Sequence, residues 1–195
     1  MDAMPKNSAR AGKGTQSSDG SPKPAAHSAV LVIGLGNPFR GDDSVGRIVA
    51  ARVRRRNRPH LRVAESSGEG ADLLELWADS GAVIVVDAVE SGGKTGMVHR
   101  FEASQRALPV RFSNSSTHAF GLGEAVEMAR ALNQLPQRLI VFGIEGRRFD
   151  VGSKLSAEVK KAVPHVVECV VEEARRLLAP QVPGSPGSST SACGA

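Results

Sequence analysis

At 195 residues, with 41% hydrophobic and 23% charged positions, the chain has the composition of one soluble globular domain, long enough to bury a full core. Tyrosine is absent and aromatics total 4%, which leaves little from which to build a base-stacking platform for single-stranded nucleic acid. No apolar run reaches the ~18 residues that read as a membrane span, and Cys169 and Cys193 offer neither a metal spacing nor a disulfide framework, as suits a reducing cytoplasm.

Residues 1–28 and 180–195 are low-complexity segments short of large apolar side chains, so both are expected to be disordered tails. The first lacks the apolar stretch of a secretory signal. Residues 29–179 are expected to form a single α/β domain. Val30 to Leu35 reads as a buried strand, and Ser44 to Arg55 as a helix with Val45, Ile48, Val49 and Val53 on one face. Leu61–Glu65 is a short second strand and Ala71–Ala78 a second helix. Ala82–Val86 is five apolar residues in a row, as in a central parallel strand buried on both faces, and it ends at Asp87. Met97–Phe101 reads as a strand, antiparallel and at an edge. A polar loop, Ser113-Asn-Ser-Ser-Thr117, leads to His118 and a helix through about Leu132. Arg138–Ile144 is the last strand. The final helix starts near Ser156, a good N-cap, and runs to about Leu178, with Pro164 expected to kink it or mark a late start. This alternation predicts a twisted, mostly parallel sheet of about five strands with helices on both faces, a three-layer α/β/α fold.

The net charge of +5 is unevenly placed. Arg47, Arg52, Arg54, Arg55, Arg56, Arg58 and Arg62 follow one another with no acid among them. Such a run covers the outer face and C-terminal end of the first helix, where cations favour the dipole, or docks an acidic partner.

Three places could carry chemistry. Gly34, Gly36 and Gly41 shape the turn after the first strand, where ligands bind in open α/β sheets, and acid occupies the helix entry. Asp42 and Asp43 there read as helix caps, although one carboxylate suffices for capping. Asp87 ends a buried strand, where a carboxylate is costly unless it caps a turn, binds loop backbone or metal, or faces a cleft. His118 lies on a crossover returning to the same sheet edge. Two carboxylates and an imidazole would make an incomplete ligand set for a divalent metal.

Phe39 stands where a dinucleotide fingerprint needs its third glycine, and Asp42-Asp43 stands where a phosphate-binding loop needs Lys and Ser or Thr. Gly34-Leu-Gly-Asn-Pro38 also resembles the start of peptidyl-tRNA hydrolases, but Phe39 and the aspartate pair replace their following glycine and catalytic histidine.

Gly34-x-Gly-Asn-x-x-x-x-Asp-Asp43-x-x-Gly46, Val86-Asp87-Ala88 and Ser116-Thr-His118-Ala-Phe-Gly-Leu122, in this order, resemble the nickel–iron hydrogenase maturation endopeptidases. Val141-Phe-Gly-Ile-Glu145 is similar to the family's last strand, and Glu65 to Leu76 to its second strand and helix, so the likeness spans roughly residues 29–178. Glu65 stands where that strand often ends in Asp, and Gly146 where a proline often follows. The resemblance implies an aspartic-type endopeptidase that removes a C-terminal peptide from a hydrogenase large-subunit precursor after nickel insertion. It carries the metal-contacting and catalytic roles onto Asp43, Asp87 and His118, with nickel brought by the precursor. It further implies a cytoplasmic monomer whose partner is that precursor, neither nucleic acid nor membrane. The competing classes are a non-catalytic maturation chaperone docking through Arg47–Arg62 and an esterase like the peptidyl-tRNA hydrolases.

Overall fold

The computed structural model describes residues 29–109 and 120–179. The expected tails, 1–28 and 180–195, and the segment containing His118 lie outside the described residues. Five strands form one sheet: β1 (Val30–Gly34), β2 (Leu61–Glu65), β3 (Ala82–Val89), β4 (Val98–Glu102) and β5 (Arg138–Glu145), in the order β2-β1-β3-β5-β4. All neighbours are parallel except the edge strand β4, which runs antiparallel to β5. The helices are α1 (Val45–Arg55), α2 (Gly70–Trp77), α3 (Leu122–Ala131) and α4 (Ala157–Leu178).

Successive side chains of a strand point to opposite faces, and the apolar runs of β1, β3 and β5 feed both layers. Val30, Val32, Ile84, Val86, Ile140 and Phe142 pack with Val45, Val49 and Val53 of α1 and the valines of α4. Leu31, Ile33, Val83, Val85, Leu139 and Val141 pack with Leu73 and Trp77 of α2 and Ala125, Val126 and Ala129 of α3. The three-layer α/β/α arrangement expected from the apolar pattern is the one observed.

Three local expectations change. β3 does not stop before Asp87 but continues to Val89, because Asp87, Ala88 and Val89 pair with Gly143, Ile144 and Glu145 of β5. β1 ends opposite Val86, so Asp87 sits in a strand that still has a neighbour on one side only. α4 passes through Pro164 without a late start. The ring forgoes one backbone hydrogen bond, and the buried valine stripe on both sides of it holds the helix. Ser156 occupies the N-cap position of α4, but its hydroxyl makes no capping bond. Cys169 is half-buried on α4, and Cys193 lies outside the described residues. Among the described residues no helix is long and apolar enough to cross a membrane.

The arginine run is largely a helix-face feature. Arg52, Arg54 and Arg55 fall in the last turn of α1, where the dipole favours cations. Arg47 and Arg54 reach Glu65 at 3.1 and 2.9 Å, and Arg56 pairs with Glu168 of α4. The edge strand is tied down by a two-pronged ion pair: Arg100 Nε and Nη2 donate to Glu173 Oε2 and Oε1 at 3.0 and 2.7 Å. Glu173 is 4% exposed. Removing the guanidinium leaves that carboxylate buried without its partner. Arg100→Met is expected to lower stability by about 2–3 kcal/mol in urea unfolding, and Arg100→Met/Glu173→Met to recover most of the loss.

Candidate functional site

The strand order reverses direction between β1 and β3: the chain passes from β1 to β2 on one side, then crosses to β3 on the other. The crevice beyond the C-terminal ends of two such strands is where open α/β sheets hold ligands. Asp43 follows β1 there, and Asp87 lies in the last turn of the ladder on β3.

Close packing builds the β1 side. Gly36 has φ +113°, and a Cβ on it would lie 1.7 Å from the Asp43 carbonyl oxygen. A Cβ on Gly46 would lie 2.2 Å from the Val86 carbonyl oxygen. The turn and the start of α1 therefore fold directly onto the end of β1 and the residue before Asp87, and a side chain at either glycine would push them apart.

Neither aspartate caps α1, as capping had predicted; no side chain caps that helix or the 3-10 turn Gly41–Ser44 before it. Asp42 is fully buried and looks across the fold. Its Oδ2 accepts from the Arg147 and Arg148 N–H groups at 2.9 and 3.1 Å, and its Oδ1 from the Ser156 N–H at 2.6 Å. The Asp42 N–H in turn donates to the Arg148 carbonyl at 2.7 Å, and Arg40 Nε to the Phe149 carbonyl at 2.8 Å. The loop between β5 and α4 is thereby fastened to the turn after β1.

Asp43 is half-buried and turns back on its own loop, where Oδ2 accepts from the Asn37 N–H at 2.9 Å. Asp87 is half-buried. Burial, and then the negative charge of Asp43, push its pKa from 3.8 up to about 7, against a hydrogen bond from the Ala88 N–H at 2.8 Å. The structure thus brings Asp43 and Asp87 into electrostatic reach of each other. It does not bring Asp42 to them. His118 lies outside the described residues; the described chain resumes at Phe120, whose carbonyl accepts from the Gly70 N–H at the start of α2. Among the described residues no three His, Cys, Asp or Glu side chains gather as a metal site. Two carboxylates alone leave most positions of a divalent ion to other donors.

One acid escaped the sequence reading. Glu145, 1% exposed at the end of β5, accepts from the Ser91 N–H and hydroxyl at 2.7 and 2.8 Å and from the Gly93 N–H at 2.9 Å. Burial alone would raise its pKa, but these bonds and His99 hold it below the ordinary carboxylate range. Its signal was the one that marked Asp87: an acid following an apolar run.

The model of the hydrogenase maturation protease family matches residues 47–173 of this sequence. The chain belongs to that family. The match includes Asp87 and His118 and begins just after Asp43. A Methanocaldococcus jannaschii protein provisionally named a hydrogenase maturation protease is 28% identical over 156 residues, spanning 75% of this chain and 97% of its own. The hydrogenase maturating endopeptidase HybD from Escherichia coli shares the fold at a TM-score of 0.62, with 22% identity over 76% of this chain and 93% of its own. The hydrogenase 2 maturation peptidase from Thaumarchaeota archaeon SCGC_AB-539-E09 superposes at 0.55, with 27% identity over 74% and 97%. Membership in the hydrogenase maturation proteases makes peptide hydrolysis the class of chemistry to be explained.

Two measurements check this geometry. Asp42→Ala strands three N–H donors around a buried gap, and urea unfolding is expected to show a loss of about 3 kcal/mol or more. Asp87 ionises near 3.8 in the unfolded chain and near 7 in the folded one. The fold binds that proton more tightly, so stability falls as pH rises from about 4 to 7 and levels off above. Asp87→Asn removes the penalty: its melting temperature is expected to match the wild type near pH 4 and exceed it by several degrees near pH 8.

Proposed function

We propose that this protease removes the C-terminal extension of a nickel–iron hydrogenase large-subunit precursor once nickel has been inserted, and that Asp43, Asp87 and His118 engage that nickel. The observation that supports the reading best is the pair of carboxylates at the sheet's switch point. Among the described residues, the charge that acts on Asp87 is that of Asp43. A divalent ion arriving there would convert repulsion into shared attraction.

The donor chemistry fits an ion carried by the substrate. Two carboxylate oxygens and an imidazole suit nickel in part and leave positions for ligands the precursor already supplies. An incomplete set of this kind binds weakly by itself and well when the precursor completes it, so cleavage follows metal loading. Nickel held there supplies a Lewis acid that polarises the scissile carbonyl or lowers the pKa of attacking water. A carboxylate acting as general base is the other source of the same activation. In both, water adds to the carbonyl carbon, the C–N bond breaks, and the departing amine takes a proton. Asp42 positions the loops and stays apart from this chemistry.

The fate of the precursor's mass discriminates this reading from a binding-only chaperone. Incubated with the nickel-loaded precursor, the wild-type chain is expected to shorten it, while a nickel-free precursor stays full length. Asp43→Asn, Asp87→Asn and His118→Ala are each expected to remain folded and slow processing by on the order of 100-fold or more. A loaded precursor left intact by the wild type, or cut at full rate by all three variants, overturns the proposal.

A further inference from the structure

Phe39 and Val151 are the two most exposed large hydrophobic residues among those described, at 72% and 80%. They come from loops more than a hundred residues apart, yet they are neighbours, because the Gly152 N–H donates to the Phe39 carbonyl at 2.8 Å. An isolated exposed apolar side chain needs no explanation; two on loops that a backbone hydrogen bond joins make a candidate patch. The loops are braced by the Asp42 carboxylate, which holds the Arg147, Arg148 and Ser156 backbone, together with Arg40 Nε on the Phe149 carbonyl.

The patch is also wired to the candidate site. The Phe39 N–H donates to Asn37 Oδ1 at 2.9 Å, and the Asn37 N–H to Asp43 Oδ2 at 2.9 Å. Around it stand exposed Arg147, Arg148 and Lys154, with Asp150 the one acid on that loop. Arg147 is met by Glu158 at 3.1 Å. The two loops thus present exposed apolar and basic side chains, and the first is hydrogen-bonded back to Asp43.

We infer that Phe39 and Val151 form a substrate-docking step, which receives an extended segment of the precursor polypeptide carrying an apolar side chain with acidic neighbours. This rests on the protease reading above and adds to it what the enzyme grips besides the metal. Apolar contact supplies affinity, and the arginine and lysine side chains select charge and speed encounter.

The test compares wild type, Phe39→Ser/Val151→Ser and Arg148→Glu/Lys154→Glu, measuring both Kd for the unprocessed nickel-loaded precursor and the kinetics of its cleavage. All these side chains are exposed, so unchanged melting curves are expected. The apolar pair variant is expected to raise Kd and KM about tenfold with kcat within about twofold. The charge-reversed variant is expected to weaken binding at low salt, by an amount that shrinks as salt rises. An unchanged Kd in the apolar variant overturns the inference. So does a fall in kcat at constant KM, the mark of a displaced Asp43 rather than of lost docking. If the wild type binds the precursor without shortening it, the protease reading fails, while the Kd comparison still decides the docking surface. A wild type that does not bind overturns both.

Discussion

A single buried carboxylate holds the working end of this molecule together. Asp42 has no solvent exposure, and its carboxylate is met by three backbone N–H groups from the loop between β5 and α4. Ionised acceptors make shorter and stronger hydrogen bonds than neutral ones, and leaving them unmet in the interior is costly. The arrangement is therefore stiff. It sets the path of the loop after β5 and the turn after β1 together, and Asp43 inherits its place from that turn.

The sheet then uses three acids on neighbouring elements in different ways. Asp42 and Glu145 are both buried and both surrounded by donors, and each locks a loop. Asp87 has the Ala88 N–H and faces another carboxylate. Its pKa moves in the opposite direction to that of Glu145 although both follow apolar runs. Burial is common to the two; satisfaction is not. A buried acid beside a second carboxylate is the form expected of a ligand-binding group, whereas one saturated with donors is a fastening.

The fold was legible because its cause is local. Short apolar runs bounded by turn residues read as buried parallel strands, and α1 and α4 carry their valines at helical spacing, so β1, β3, β5 and the two layers follow from the pattern. Asp87 was legible for a related reason, since an acid at the end of such a run stands out against it. Its continuation to Val89 was not, because the pairing with Gly143 to Glu145 that extends β3 is set by a strand some fifty residues later. The resemblance singled out Asp43, but the task of Asp42, read as a helix cap, was hidden. Side by side they look interchangeable as caps, and only the position of residues 147–156 reveals what Asp42 holds. Glu145 was passed over because its donors, Ser91 and Gly93, lie in a turn whose fold the local sequence does not reveal.

The span of the Asp42 contacts has a consequence for the order in which the molecule is made. Its three donors lie 105, 106 and 114 residues further along the chain. During synthesis at roughly 5–20 residues per second, the turn after β1 emerges on the order of 5–20 s before the backbone that will brace it. The strands can begin to associate in that interval, but closing so long a loop is a late, entropically costly event. A nascent chain, or one ended before Arg147, carries the opening glycine turn and both of its aspartates without the geometry that gives them a purpose. Competence arrives in one step, when the last quarter of the polypeptide folds back on its beginning.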